Sequence, residues 1–310
     1  MLIDFSKHLK LTQLRLITAI SELGQLGAAA ESMSITQPAA SRMLADIERV
    51  IGTKVFVRHA KGMSLTEVGM TIARRAHNSL AELNALSREV DMLKQGGVGM
   101  TRIGAVTGAA VGYVIPAVQK LRKLAPHAEF DIDVDSSVGL VNSLLDGLND
   151  FVLARVPRSH DFNEFEIYPA RTESVKLMVR EGHPLTKDGV ISLKALSKYE
   201  WVMQSHKAPI REAVEAALLA AGAELPSSII NTTSLVAIIG LLISSDAIAP
   251  MASEVSDLLV EPRVQARLVA LPIKEPEIVL APYYLLQLKY RQLSPLANQL
   301  KAFILRELER

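Results

Sequence analysis

Four residues near the start of one predicted helix can recognise the edges of base pairs: Gln37, Ala39, Ser41 and Arg42. An arginine can donate to O6 and N7 of guanine, a glutamine can pair with adenine, and an alanine can contact the methyl group of thymine. The first turn of a recognition helix is the part that reaches base edges in the major groove. The cluster therefore predicts that this helix reads DNA.

A short basic segment follows this helix. Between positions 53 and 66 it has four basic residues and no acidic one: Lys54, Arg58, His59 and Lys61. Strand patterns over 54–58 and 62–65 flank the basic turn, which predicts a wing that lies against phosphates. Phosphate contacts supply salt-dependent affinity and fix the register, whereas base contacts give specificity.

Three helices are predicted to position these side chains. Apolar residues recur at three- and four-residue spacing from Leu11 to Leu23, which indicates an amphipathic helix. A short helix over 28–33 and the turn 34–36 lead to the third helix, which Thr36 caps and Gly52 ends. A purely structural three-helix bundle would explain the apolar stripes equally well. It would not explain why Gln, Ser and Arg cluster beside a basic turn.

The amino-acid composition limits the classes of protein to which the chain could belong. The chain has 310 residues and a net charge of +1, so a nucleic-acid footprint must be local. There is no cysteine, which excludes disulfides, thiol catalysis and cysteine-ligated zinc. The longest apolar run, from Leu235 to Ile243, is far shorter than the roughly 18 residues that suggest a membrane span. With charged residues at its start and no signal-peptide pattern, the chain is expected to be cytoplasmic.

The run from Leu26 to Gly52, with Thr-Gln-Pro-Ala-Ala-Ser-Arg at its centre, continues through Val55–Arg58 and Leu65–Gly69. In these segments the chain resembles the LysR-type transcriptional regulators. The resemblance implies base contacts from five residues: Gln37, Pro38, Ala39, Ser41 and Arg42. It implies phosphate contacts from four more: Thr36, Arg58, Lys61 and Thr66. Val57 departs from the pattern, because the family often has Glu before the wing arginine.

A long helix is predicted over 66–95, where there is no proline. Its apolar and small residues alternate at four- and three-residue spacing, which is typical of a coiled coil: Ile72, Ala76, Ser79, Leu83, Leu86, Val90 and Leu93. Burial against its own C-terminal domain is the alternative. The resemblance implies a homodimer through this linker helix, usually built into a homotetramer, that binds an interrupted palindromic operator. Its half-sites would be about 34 Å apart or a multiple of that.

The remaining residues alternate strand and helix patterns. Strands over 102–106, 130–134 and 150–154 with helices over 111–124 and 138–148 give a βαβαβ order, and therefore a parallel α/β sheet. Further α/β patterns follow up to a C-terminal amphipathic helix over 294–308. Two such lobes resemble the periplasmic-binding-protein-like effector domain of the same family.

The predicted organisation has three parts. Residues 1–66 form an all-α winged helix-turn-helix domain, 67–95 the linker and dimerisation helix, and 96–310 the α/β effector domain. Within the last part, lobe I covers about 102–172 and 277–310, and lobe II about 173–276. Gly96, Gly97 and Gly99 would supply a hinge after the linker helix.

Polar residues at four strand-to-helix junctions predict an effector site: Thr107-Gly108, Ser136-Ser137, Gln204-Ser205 and Thr232-Thr233. Ligands in open α/β sheets bind beyond the carboxyl ends of the strands, next to helix N-termini. Arg155 is the candidate cation for an anionic effector, and a salt bridge is its alternative. Each Ser or Thr could also be a helix cap. The effector expected here is a small metabolite such as a sugar, a sugar acid or an aromatic acid.

No enzyme motif accompanies the α/β pattern. The dinucleotide fingerprint, the P-loop and Gly-x-Ser-x-Gly are all missing, and the seven histidines lack metal-type spacing. Asp131, Asp133 and Asp135 fail the calcium-loop pattern and are read as a solvated strand face. We expect a DNA-binding regulator with no cofactor, metal or catalytic residue. The alternative is a small-molecule-binding protein or an enzyme built on the lobes without a regulatory DNA role.

Overall fold

The computed structural model describes residues 9–94, 99–157, 162–187 and 189–309. The chain divides into two units. The first contains the described part of Met1–Val98 together with Asn142–Asn149, and the second contains Gly99–Val141 and Asp150–Arg310. Gly96 and Gly97, predicted as part of a hinge, lie outside the described residues. Among the described residues, no helix is both long and apolar enough to span a bilayer.

The first unit begins with a helical head. Its helices are α1 (Leu11–Leu23), α2 (Leu26–Ser32) and α3 (Gln37–Ile51). Gly24 and Gly52 end α1 and α3 in the left-handed conformation, which a residue without a Cβ adopts at little cost. The head core consists of aliphatic and small residues from all three helices: Leu16, Ile17, Ile20, Leu26, Ala29, Ala30, Ala40, Leu44, Ile47 and Ile51.

A two-stranded antiparallel hairpin follows the head. It consists of β1 (Phe56–His59) and β2 (Gly62–Leu65), with His59 opposite Gly62 at the turn. The N–H of Met63 donates to the carbonyl of Gly24, so β2 is fixed to the end of α1. Gly62 has a φ of 141°, and a Cβ there would overlap the carbonyl oxygen of Gly24. The hairpin is therefore held against the head in a way that requires glycine at this position.

The long helix α4 (Glu67–Lys94) confirms the predicted linker helix. Its first half packs into the head core through Ala73, and Ala76 is also buried. Its second half presents three seam residues to solvent: Leu83, Leu86 and Val90. Leu93 of the predicted seam lies outside the residues whose side chains are described. An apolar stripe that stays exposed in one chain is what a pairing helix needs.

The second unit contains a five-stranded mixed sheet. Its order is β4 (Glu129–Val134), β3 (Met100–Ala105), β5 (Phe151–Ala154), β13 (Tyr284–Leu288) and β6 (Phe165–Pro169). β3 pairs in parallel with β4 and β5, which confirms the βαβαβ prediction, whereas β13 is antiparallel to both of its neighbours. The core beside this sheet includes the C-terminal helix α10 (Pro295–Leu308).

The helices beside this sheet differ from the prediction. The helix expected over 111–124 begins at Thr107–Ala109, continues as a π-helical stretch over Ala110–Val114 and ends as α5 (Ile115–Leu124). The helix expected over 138–148 is α6 (Ser137–Leu145). It ends early because Gly147 adopts a positive φ of 69°, which stops the helix before Leu148. The exposed side chains of Asp131 and Asp133 on β4 agree with a solvated strand face.

A second sheet is built around β7 (Ser174–Arg180). Three strands pair with it antiparallel: β10 (Ala249–Ala252), β11 (Leu268–Ala270) and β12 (Ile278–Val279). A parallel pair, β8 (Trp201–Met203) and β9 (Ile229–Asn231), lies beside it through the bridge between Trp201 and Ile248. Its helices are α7 (Pro209–Ala220), α8 (Leu235–Ser244) and α9 (Ser253–Val260). Strands β6, β9 and β12 and helix α9 were not predicted.

Candidate nucleic-acid interface and effector site

The first turn of α3 presents the predicted base-reading residues. Thr36 caps the helix, since its Oγ1 accepts from the N–H of Ala39 at 3.4 Å. Gln37, Pro38 and Arg42 are exposed, and Ala39 and Ser41 are half-buried. The opposite face is packed inside the head through Ala40, Leu44, Ile47 and Ile51. The arrangement leaves one face of the helix end free to enter a groove.

The wing lies next to this helix end. The guanidinium of Arg58 on β1 donates from Nη2 to Oγ of Ser41 on α3, at 3.4 Å. Lys61 is exposed at the tip, where its N–H donates to Nδ1 of His59 at 3.3 Å. Cationic side chains of the wing are thus placed beside the polar start of α3. Such an arrangement can hold phosphates while the helix contacts bases.

The sequence reading missed Glu48, which fixes the base of the wing. Its Oε1 accepts from the N–H groups of Val55 and Phe56, at 3.0 and 3.4 Å. Its Oε2 lies 2.6 Å from Nζ of Lys54. The Glu48 side chain is only 10% exposed, so these contacts are partly desolvated. The glutamate stands in the quoted family run, but nothing in its local spacing indicated this role.

Thr66 has a structural role that competes with the predicted phosphate contact. Its Oγ1 donates to the carbonyl of Lys54 at 2.8 Å and accepts from the N–H of Gly69 at 2.9 Å. Its own N–H donates to the carbonyl of Val55 at 3.0 Å. Because both donors of Thr66 are engaged inside the protein, the structure favours a cap for α4 over a contact with a phosphate.

The effector junctions beside the first sheet lie at neighbouring strand ends. Thr107 follows β3 and is exposed, and Gly108 behind it is buried. Ser136 caps α6 by accepting from the N–H of Gly139 at 3.2 Å. The hydroxyl of Ser137 accepts from the N–H of Arg155 at 3.1 Å. Ser136 therefore acts as a helix cap, which was the alternative to a ligand contact, and the hydroxyl of Ser137 also makes a structural hydrogen bond.

The junctions beside the second sheet also adjoin one another. The N–H of Thr232 donates to the carbonyl of Met203, and the guanidinium of Arg211 bridges the Gln204 carbonyl and Asn231 Oδ1 at 3.2 and 2.7 Å. Ser234, rather than Thr232 or Thr233, caps α8. No residue in the described ranges hydrogen-bonds to the hydroxyls of Thr107, Ser205 and Thr233. These three exposed hydroxyls therefore remain available for a ligand.

Arg155 is occupied within the protein. Its Nη2 lies 2.6 Å from Oε2 of Glu173, and its Nε donates to the carbonyl of Ala281 at 2.8 Å. The Glu173 side chain is 4% exposed, and burial raises the pKa of its carboxyl even though Arg155 acts in the opposite direction. Arg155 was predicted as a cation for an anionic effector. The pairing with Glu173 favours the salt-bridge alternative.

Tyrosines surround this ion pair. The Arg155 guanidinium lies 5.9 Å from the ring centroid of Tyr283, whose ring is 6.4 Å from that of Tyr113. Burial raises the pKa of Tyr283, and the nearby Tyr113, Glu254 and Glu173 add to the effect. A neutral phenol is the stable form at this position.

Comparisons with known proteins decide the family. A family model described as the bacterial regulatory helix-turn-helix protein of the lysR family matches residues 11–70. A second, described as the LysR substrate binding domain, matches residues 94–309. The chain belongs to the LysR family. The resemblance carried by the run around Gln37 is thereby confirmed.

Relatives and solved structures of the LysR family agree. The HTH-type transcriptional regulator GbpR of Rhizobium radiobacter is 38% identical over 251 residues, which cover 80% of this chain and 83% of that protein. A full-length OxyR variant from Pseudomonas aeruginosa matches with a TM-score of 0.58 at 19% identity, over 97% of this chain and 98% of that one. CbnR in complex with its target DNA matches with a TM-score of 0.55 at 19% identity, over 96% of this chain and all of that one.

Membership settles the general function. This LysR-family chain is a DNA-binding transcriptional regulator with an effector-binding domain. The family consists of regulators and not of enzymes, so the alternative of a binding protein or enzyme without a regulatory DNA role is wrong. The predicted fold, a winged helix-turn-helix, a linker helix and a two-lobed α/β effector domain, is also confirmed.

Proposed function

We propose that this regulator reads its operator through the first turn of α3 while the wing holds the flanking phosphates. The exposed side chains of Gln37 and Arg42, on a helix whose other face is buried, are the observation that carries this proposal. Ser41 and Ala39 complete the base-reading set. Thr36, Arg58 and Lys61 supply the phosphate contacts, and Thr66 acts by anchoring α4. Such a role requires access to chromosomal DNA, which favours a cytoplasmic location.

We propose further that two copies pair through α4. The exposed seam of Leu83, Leu86 and Val90 supports this pairing, because a stripe of this kind is costly to leave in water. An antiparallel pair would set two heads apart and match an interrupted palindrome with half-sites about 34 Å apart or a multiple. Association of two such dimers into a tetramer would extend the contact to a longer operator.

The effector domain would bind a small polar metabolite between its lobes. The exposed hydroxyls of Thr107, Ser205 and Thr233 support this, together with Ser136, Ser137, Gln204 and Thr232 beside them and the close backbone of Gly108. Because Arg155 is paired with Glu173, it is not a free receptor for a carboxylate. The pairing favours a hydroxylated ligand, such as a sugar, over an aromatic acid. A sugar acid would need its charge bound elsewhere.

A thermal-shift screen of neutral sugars, sugar acids and aromatic acids tests this part. A ligand that binds only the folded protein raises the melting temperature, by mass action. Thr107→Val combined with Ser205→Ala should abolish the shift of the best ligand without lowering affinity for the operator. Val68→Ala, at an exposed position on α4, is the matched control and should keep the shift. An unchanged shift in the double variant would mean that the pocket lies elsewhere.

A further inference from the structure

A histidine of α4 lies between two carboxylates in the first unit. Nε2 of His77 is 2.8 Å from Oδ1 of Asp146, and its Nδ1 is 3.6 Å from Oε1 of Glu22. Glu22 belongs to α1, and Asp146 directly follows α6. Each ring nitrogen therefore faces a different acidic group, from a different segment of the chain.

The His77 ring is shielded more than its partners. Its side chain is 25% exposed, against 58% for Glu22 and 43% for Asp146. The Asp146 carboxylate beside Nε2 is the main cause of a raised His77 pKa, which burial opposes and the charge of Glu22 supports. On its own helix the adjacent basic residues are Arg74 and Arg75, both exposed. The carboxylates thus outweigh burial in favouring the charged imidazolium.

The segment after α6 also touches α4 one turn beyond His77. Gly147, with its φ of 69°, places its backbone so close to Ala81 that a Cβ would lie 3.1 Å from the Ala81 Cβ. Ala81 is buried. Asp146 and Gly147 together hold this segment on α4 through one polar and one packed contact.

We propose that Glu22, His77 and Asp146 form a proton-controlled latch that fastens the segment 146–149 to α4 and α1. An imidazolium has two N–H donors, one for each carboxylate, whereas a neutral imidazole has one. The latch is therefore closed when His77 is protonated. Since the folded-state pKa of His77 lies above its ordinary value, the stabilisation is fully present below the ordinary pKa. It is lost as the pH rises through the raised one.

The latch can influence regulation through one helix. Helix α6 begins at Ser137, in the proposed effector junction, and ends at Leu145, directly before Asp146. A change in how Asp146 is held would therefore reach Ser137 along one continuous helix. This consequence rests on the proposed function, and it predicts that operator affinity depends on the protonation of His77.

One ligand atom from each of the three latch side chains lies within 4.8 Å of the others, a spacing that a divalent cation could also use. A metal ion binds one nitrogen of an imidazole. Here the two carboxylates lie next to opposite ring nitrogens. This arrangement fits an imidazolium with two N–H donors better than one coordinated metal ion. A proton is therefore the ligand that the geometry favours.

An NMR pH titration of full-length protein with labelled histidines tests the latch in the absence of DNA. The His77 signal, assigned with His77→Gln, should titrate above about 6.5, and Asp146→Asn should move it down. Glu22→Gln should move it less. Hydrogen exchange of the segment 146–149, corrected for intrinsic rates, should be about two- to fivefold slower in the protonated form. His77→Gln should abolish that pH dependence. His127→Gln, at an exposed position, should keep it.

Three results would overturn the latch. The first is a His77 titration at the ordinary value, or one that Asp146→Asn leaves unmoved. The second is exchange of the segment 146–149 that does not respond to pH. The third is a rise in melting temperature with Zn²⁺ that His77→Gln removes, because it would make the cluster a metal site. Failure of the protein to bind any operator would contradict the proposed function and leave the NMR result standing.

Discussion

Arg155 and Glu173 form an ion pair with 2.6 Å between Nη2 and Oε2, at the place where the chain passes between the two sheets of the second unit. Glu173 directly precedes β7, and the carbonyl of Ala281, which accepts from Arg155 Nε, lies in the return segment before β13. One guanidinium thus binds both connections between the sheets. We expect a change in the angle between the lobes to alter the geometry of this pair.

Replacing one partner of this pair should destabilise the effector domain. Glu173→Gln leaves a shielded guanidinium without its counter-charge, and the expected loss is roughly 3 kcal/mol in the free energy of unfolding. Urea unfolding followed by circular dichroism measures it. The double variant Arg155→Met, Glu173→Met removes both charges and should recover most of the loss. A Glu173→Gln variant as stable as the wild type would show that the pair is solvated and weak.

Arg42→Ala should reduce specific binding. We expect a loss of about 1–3 kcal/mol on the preferred operator, with little loss on unrelated duplexes, because a bidentate contact to guanine would be removed. Fluorescence anisotropy with the operator and with a scrambled duplex measures both. Arg49→Ala is a matched control, since Arg49 is an exposed arginine in the last turn of α3 that pairs with Asp46. Equal losses on the two duplexes would assign Arg42 to phosphate.

Lys61→Ala should show the opposite pattern. A wing lysine on a phosphate contributes to all sequences alike, so affinity for operator and scrambled DNA should fall together. The slope of log affinity against log salt should decrease by about 1. The measurement is a salt titration of the wild type and the variant side by side. A loss confined to the operator would indicate that Lys61 contacts a base.

The seam of α4 gives a test of assembly. Leu86→Glu places a charge on the exposed stripe and should convert the oligomer to monomers, because a buried unpaired carboxylate is costly. Asn84→Glu, exposed on the same turn but outside the predicted seam, should leave assembly intact. Sedimentation velocity distinguishes these states. Retention of the wild-type oligomer by Leu86→Glu would place the interface on another surface.

Local patterns in the sequence predicted the head and the linker helix well. The cap at Thr36, the glycine at position 52 that ends α3 and the lack of proline in α4 are local features of the sequence. They can therefore be recognised without knowledge of the tertiary structure. The π-helical stretch Ala110–Val114 was not predicted, because its hydrophobic pattern is that of an ordinary helix. The place of β13 between β5 and β6 depends on pairing with distant parts of the chain.

The sites also divide into features that are encoded locally and features that depend on distant parts of the chain. Gln37, Ser41 and Arg42 are neighbours in sequence, and their cluster was predicted directly. The contact between Arg58 and Ser41 joins residues 17 positions apart, and the pair of Arg155 with Glu173 joins residues 18 apart. Both contacts join residues of different segments of the chain, so no periodicity within one helix or strand predicts them. The association of His77 with Asp146 also depends on tertiary packing, which no local spacing encodes.

Selection of binding sites from a random duplex library tests the central claim most directly. We expect purified protein to enrich an interrupted palindrome and to bind it at least roughly 1,000-fold more tightly than scrambled DNA at physiological salt. The double variant Gln37→Ala, Arg42→Ala should lose most of that preference. The absence of enrichment at any sequence, or an undiminished preference in the double variant, would contradict base reading by the first turn of α3.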